Sequence, residues 1–329
     1  MTAPARRPVL VVLGTRPEAV KLAPVIGALA ASATLTPRVC ATGQHREVLD
    51  QTLAAFDIRP DCDLAVMTPA QDLFDLTARI LLGLRPLLDA ERPAAVLVQG
   101  DTTTALAAAL AAYYRRIPVG HVEAGLRTGR PYEPYPEEMN RVLTSRLAAW
   151  HFAPTAAAAE NLRREGVAAA SIVVTGNPIV DALRSVVARL DRAPIAPALP
   201  AERLAGRRLV LATTHRRESF GAPLREICLA LRDIADRHDD VLVAIPVHLN
   251  PAVQAPVREL LGDHPRIVLT PPLDYLPFVD LMRRAHLILT DSGGLQEEAP
   301  SLGVPVLVLR DATERPEVIA AGAARLVGT

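Results

Sequence analysis

Lysine is almost absent from this chain: of 36 basic residues only Lys21 is a lysine, and the rest are arginine. A compact ammonium in such a background is either an accident of composition or a place where a planar guanidinium fork does not fit. Cysteine is scarce as well. Cys40, Cys62 and Cys228 are odd in number, scattered and without ligand spacing, which argues against a disulfide framework or a cysteine metal site and suits a reducing compartment, the cytoplasm. Net charge is missing too, since 36 acids balance the 36 bases. No nucleic-acid or membrane-surface partner is therefore implied, and pairs such as Arg115-Arg116 read as solvated faces. No long apolar run occurs. Arg6-Arg7 precedes residues 9–13, but that stretch is too short for a signal-peptide core and runs straight into Gly14-Thr15-Arg16.

What is present is 50% apolar and 22% charged content over 329 residues, enough for two domains with a core each. Short apolar runs alternate with helical segments, and the runs end in Gly, Asp, Glu, Thr or His. That is the pattern of buried parallel strands joined by helices. Residues 9–13, 38–42, 95–99 and 118–121 read as strands, with further strand ends at 151–155 and 173–178. The stretch 191–200, DRAPIAPALP, carries three prolines and reads as a linker. A second set follows: strand 208–212, a helix near 224–238, and strands at 241–246, 266–269, 287–290 and 305–309. The expectation is an α/β protein of two Rossmann-like, doubly wound parallel-sheet domains, residues 1–190 and 201–329.

Ligands of open α/β sheets bind at the carboxyl ends of strands, so the polar residues there are the candidates for chemistry. Gly14-Thr15-Arg16-Pro17-Glu18 is neither a dinucleotide loop nor a Walker A loop. Arg16 and Lys21 would bracket the helix start that follows, where an anion can sit. Asp101 alone reads equally well as a helix cap, and Glu137-Glu138 as an acidic first helical turn. Asp101 and Glu123 at successive strand ends are harder to dismiss. Asp61-Cys62-Asp63 has the D-x-D form of some sugar transferases but reads as solvated loop, and no metal is expected. His215 and His248 sit at strand ends where a ring nitrogen can meet a phosphate or a reacting oxygen. Phe278 can stack on a base or fill the core. The densest stretch is 287–317. Its turn Asp291-Ser292-Gly293-Gly294 opens a helix near Leu295 and has the outline of a phosphate cradle, with Glu297 and Glu298 in the first turn and Arg315 beyond the next strand.

Taken in order, the strings GTRPEAVKLAPV, TGQH, QGDTTT, HVEAGLRT, PEEMNR, FAPT, TGNPIVD, THRRE, PVHLNP, DSGGLQEEAPSLGVPVLV and TERPE resemble the non-hydrolysing UDP-N-acetylglucosamine 2-epimerase family nearly end to end. The resemblance implies a B-type glycosyltransferase-like fold with the two domains facing across a cleft and UDP held mostly by the C-terminal one. It places Ser292, Gly293 and Gly294 on the phosphates, Glu298 on the ribose, Phe278 beside the uracil, and Arg16, Lys21 and Arg315 around the same nucleotide. It assigns catalysis to Asp101, Glu123, Glu137 and His215. The implied reaction converts UDP-N-acetylglucosamine to UDP-N-acetylmannosamine by anti elimination of UDP to 2-acetamidoglucal and re-addition, with no cofactor and in a homodimer. Gln44 and His248 match positions that, in regulated members, bind a second substrate molecule. Three departures stand out: Leu273 where many members have Gln, Ala70 where regulated members have a basic residue, and an end at Gly328-Thr329 before the family's C-terminal crossing helix. The competing readings are a hydrolysing epimerase that releases UDP and N-acetylmannosamine, a glycosyltransferase of the same fold, and a non-catalytic nucleotide-sugar sensor.

Overall fold

The computed structural model describes residues 5–43, 46–68, 71–214, 216, 219–313 and 315–328, without the side chains of 46–48 and 316. The chain forms two compact units, Met1–Ala182 and Leu183–Thr329. The helix Pro178–Arg192 runs from one into the other.

The first unit is built on seven strands: β1 Arg7–Leu13, β2 Leu35–Ala41, β3 Cys62–Asp63, β4 Ala95–Gln99, β5 Val119–Val122, β6 Trp150–Ala153 and β7 Ile172–Val174. They pair in the order β3-β2-β1-β4-β5-β6-β7, all parallel. Alternation along β1 explains the two cores. Val9, Val11 and Leu13 pack on one face with Leu22, Ile26 and Leu49, while Leu10 and Val12 pack on the other with Ile80, Leu84 and the alanines of the helix Thr103–Tyr114. Both faces being covered, the strands carry continuous apolar runs rather than an in–out alternation.

The second unit repeats the plan with β8 Arg208–Thr213, β9 Val241–Pro246, β10 Ile267–Thr270, β11 Leu287–Thr290, β12 Val306–Val308 and β13 Ala324–Leu326. Its order is β10-β9-β8-β11-β12-β13, again all parallel. In each sheet the winding reverses next to the first strand, so the carboxyl ends of β1 and β4, and of β8 and β11, are the topological switch points where such sheets take ligands.

The elements expected from the sequence are found with shifted ends, and two very short strands were not expected. Cys62–Asp63 is not solvated loop but an edge strand paired with Cys40–Ala41. Asp61 holds it in place, accepting from Val39 N at 2.7 Å and from Arg38 Nη1 at 2.5 Å, while Asp63 Oδ1 accepts from Ala65 N at 2.9 Å. The D-x-D acids thus serve the backbone of their own sheet edge. β13 closes the second sheet on its far side. Among the described residues no helix is long and apolar enough to cross a membrane, and no group of three His, Cys, Asp or Glu side chains is placed to hold a metal ion.

Candidate active site

Four acids of the first unit stand at strand ends or a helix start: Glu123 after β5, Asp101 after β4, and Glu137 and Glu138 at the start of the helix Glu137–Leu147. Glu123 follows β5 directly, with φ at +63°. This left-handed conformation is uncommon for a residue with a Cβ, costs of order 1 kcal/mol and persists only where the surroundings impose it. Those surroundings include four hydrogen bonds donated from described residues. Lys21 Nζ reaches both carboxylate oxygens, at 2.6 and 2.7 Å, Asn177 Nδ2 reaches Oε1 at 2.9 Å, and Gln99 Nε2 contacts Oε2. Lys21 and Glu123 are both buried. The single lysine has a use that suits a point charge: its ammonium serves both oxygens of one buried carboxylate, which also accepts from the amide side chains of Gln99 and Asn177. Two residues after Glu123, Gly125 has φ +91°, and a Cβ there would lie 2.2 Å from the Ala158 carbonyl oxygen, so this turn admits only glycine.

Asp101 lies one residue beyond Gly100 at the end of β4 and is half-buried. Its Oδ2 accepts from Arg141 Nη2 and its backbone carbonyl accepts from Asn140 Nδ2 at 2.9 Å. Oδ1 has no hydrogen bond among the described residues. Both donors come from the helix Glu137–Leu147, whose first turn supplies the other two acids. Glu137 and Glu138 are thus the acidic first helical turn that the sequence suggests. The two neighbours differ in what they meet. Glu138 is satisfied, with Oε1 accepting from Thr128 N and Gly129 N, each at 3.0 Å, and Oε2 from Arg141 Nη1 at 3.1 Å. Glu137 Oε2 is buried with no hydrogen-bond partner among the described residues, an arrangement that costs about 1–3 kcal/mol in a fold that has no use for it.

His121 on β5 is fully buried beneath this group. Its Nε2 donates to the Gly100 carbonyl at 2.7 Å, which leaves Nδ1 as the unprotonated nitrogen, buried and without a partner among the described residues. Burial, with smaller contributions from His151 and Arg127, pushes the imidazole from 6.5 down to about 4. Between those values the unfolded chain binds a proton that the folded one refuses, so this histidine's contribution to stability is present at neutral pH and is lost as pH falls from about 6.5 toward 4. The full difference is about 3 kcal/mol. His121→Gln is expected to flatten the wild-type loss of unfolding free energy between pH 6.5 and 5, as measured by urea titration. Glu18, whose proton affinity burial raises, titrates with the opposite sign in both proteins and cancels in the comparison.

In the second unit the switch point is stitched together by Asp291. Its buried carboxylate accepts from Arg216 N at 3.0 Å and Ser219 Oγ at 3.1 Å, joining the loop after β8 to the turn after β11. Below it, Thr213 Oγ1 and Thr290 Oγ1 lie 2.7 Å apart. The Ser292 amide is committed to Thr290 Oγ1 at 2.9 Å. The amides of Gly293 and Gly294 donate to nothing among the described residues, and these are the donors a phosphate would take. Around them, Glu298 Oε1 accepts from Tyr275 Oη at 2.9 Å, Glu297 Oε1 accepts from Arg315 Nε at 2.8 Å, and Gln296 Oε1 accepts from Thr313 Oγ1 at 2.5 Å. Phe278 is half-buried one turn along the helix that begins at Tyr275.

Of the expected site residues, Lys21, Asp101, Glu123 and Glu137 come together in the first unit, and Ser292, Gly293, Gly294, Glu298 and Arg315 in the second. Arg16 is exposed at the first position of the helix Arg16–Ala31. His248 is exposed beyond β9, its Nδ1 accepting from Asn250 N at 3.2 Å. His215, Gln44 and Ala70 lie outside the described residues. Glu18, Gln99, Arg141, Asn177 and Asp291 were not singled out, although each stands within a few residues of a candidate in the same string. Their partners are tens of residues away in the chain, and no local spacing reports that.

The chain matches the family model described as UDP-N-acetylglucosamine 2-epimerase over residues 27–329. It is 55% identical to the UDP-N-acetylglucosamine 2-epimerase of Escherichia coli K12, over 98% of this chain and 86% of that one. The crystal structure of the UDP-GlcNAc 2-epimerase of Neisseria meningitidis bound to UDP-GlcNAc superposes with a TM-score of 0.91 at 48% identity, covering 98% of this chain and 87% of that one. The glycotransferase of kitacinnamycin superposes with a TM-score of 0.64 at 14% identity, covering 99% and 87%, which relates the two by fold alone.

Proposed function

The chain belongs to the UDP-N-acetylglucosamine 2-epimerase family, and on that premise we propose that this enzyme interconverts UDP-N-acetylglucosamine and UDP-N-acetylmannosamine without releasing the nucleotide. The C2 hydrogen of this sugar has no carbonyl beside it to acidify it, so a base alone cannot invert the centre. Breaking the anomeric bond solves the problem. The C1–O electron pair leaves with UDP, the C2 proton passes to a protein base, and a C1=C2 double bond forms, giving 2-acetamidoglucal. UDP then re-adds at C1 while C2 takes a proton on its opposite face.

This chemistry needs one group to take a proton, another to give one, and fixed charge for the departing diphosphate. Asp101 Oδ1 and Glu137 Oε2 are the two carboxylate oxygens best suited to move protons, since no hydrogen bond within the described residues engages either. That observation carries the reading. Glu123, held by Lys21, Gln99 and Asn177, supplies negative charge that does not reorient as the anomeric carbon becomes electron-poor, and His215 completes the set. The Gly293 and Gly294 amides, with Arg315, are assigned to the diphosphate, Glu298 to the ribose and Phe278 to the base. Three free thiols, Cys40, Cys62 and Cys228, fit work in a reducing compartment.

The test is product identity. Incubation with UDP-N-acetylglucosamine followed by proton and phosphorus NMR is expected to reach a mixture of the two UDP-sugars. Accumulation of free N-acetylmannosamine with stoichiometric UDP would replace this reading with hydrolysis, and an unchanged nucleotide sugar would remove it.

A further inference from the structure

We propose that Glu18 is a positioning residue for Asp101, tying the turn after β1 to the turn after β4. This rests on the reading of Asp101 as a proton-transfer group. Glu18 is fully buried, and all its hydrogen bonds are donated to it from those two turns. Oε2 accepts from Gly14 N at 3.0 Å, Thr15 N at 2.8 Å and Thr15 Oγ1 at 2.8 Å, and Oε1 accepts from Thr102 Oγ1 at 2.7 Å. A helix capping box explains the contact with Thr15 and nothing more. It requires neither burial, which is costly for a carboxylate, nor a partner 84 residues away.

The partner is informative. The Thr102 hydroxyl that donates to Glu18 also accepts from Ala105 N at 3.0 Å, capping the helix Thr103–Tyr114. With this contact the turn bearing Asp101 is fixed residue by residue from three other elements. The Gly100 carbonyl is held by His121 and the Asp101 carbonyl by Asn140, while the Thr102 hydroxyl is held by Glu18. The neighbouring places of β1 and β4 in the sheet make the bridge possible. Removing Glu18 frees one end of that turn, so that Asp101 can shift, while the Asp101 and Arg141 side chains themselves are unaltered.

The experiment compares Glu18→Ala and Glu18→Gln with wild type and with Asp101→Asn, reading kcat, KM and the affinity for UDP. Glu18→Ala is expected to lose kcat by about 10²-fold, as a displacement of the order of 1 Å would cause, with KM and UDP affinity near wild type. Glu18→Gln is expected to recover most of it, because an amide oxygen can still accept from Gly14 and Thr15 and its nitrogen can donate to the Thr102 hydroxyl. Unchanged kcat in Glu18→Ala, or a loss that Glu18→Gln does not recover, overturns the proposal. If Glu18→Ala does not fold, Thr102→Val and Thr102→Ser replace it: the first is expected to lose kcat and the second to keep it, and equal rates overturn the proposal. The Asp101→Asn arm separates the two readings. A wild-type rate there removes the role of Asp101 itself, whereas an impaired Asp101→Asn beside a wild-type Glu18→Ala removes only the positioning.

Discussion

Asp101→Asn is expected to lower kcat by about 10³-fold, in the range that loss of one general acid or base gives, while UDP binds with nearly its wild-type affinity. The substitution is close to isosteric. Its amide oxygen can still take the hydrogen bond from Arg141, so the turn and the Arg141–Glu138 contact survive. What changes is the other position of the carboxylate, where an acceptor able to bind a proton becomes an NH₂ group that cannot. Steady-state kinetics and UDP titration calorimetry separate the two effects. A kcat within a few-fold of wild type would show that Asp101 moves no proton in the rate-limiting step.

The largest expected effect on stability comes from Glu123. Glu123→Ala deletes the carboxylate that receives Lys21 at 2.6 and 2.7 Å, breaking an ion pair whose two side chains are both buried. Breaking a buried ion pair from one side costs about 3–5 kcal/mol, a sizeable part of the stability of a domain. Removing the left-handed strain at this position returns little, since alanine also carries a Cβ. The double variant Lys21→Met with Glu123→Leu is expected to regain most of the loss, because two apolar groups leave no stranded charge. Urea unfolding of the single and double variants checks both. A single variant as stable as wild type would mean that the pair contributes nothing to holding this part of the first unit together.

The plan of the fold was legible because parallel sheets covered on both faces leave a simple trace: apolar runs of four to seven residues, each ending in a polar turn. β3 and β13 left none. Two and three residues are too few to show a period, and their place is set by pairing with Cys40–Ala41 and with β12. Local spacing likewise marked Asp101 and Glu123 as strand-end acids, but could not divide roles between Glu137 and Glu138. That division depends on which carboxylate meets the amides of Thr128 and Gly129 and the guanidinium of Arg141, a matter of how one helix turn faces its neighbours. Lys21 was conspicuous by composition alone, yet its partner is 102 residues away. Glu18 stood out from the turn Gly14-Thr15-Arg16-Pro17-Glu18 no more than its neighbours did, because its partner Thr102 is 84 residues away. Contacts between successive switch-point turns are properties of strand order, and strand order is not written in any one stretch of sequence.

The central claim is that the sugar loses and regains both its C2 proton and its bond to UDP on this protein. The most direct measurement is NMR of UDP-N-acetylglucosamine incubated with the enzyme in deuterated water. The account predicts deuterium at C2 in nucleotide sugars of both configurations, with the label entering no slower than the second epimer appears. Epimer formation that leaves protium at C2, or a labelled sugar found only free of UDP, would contradict it.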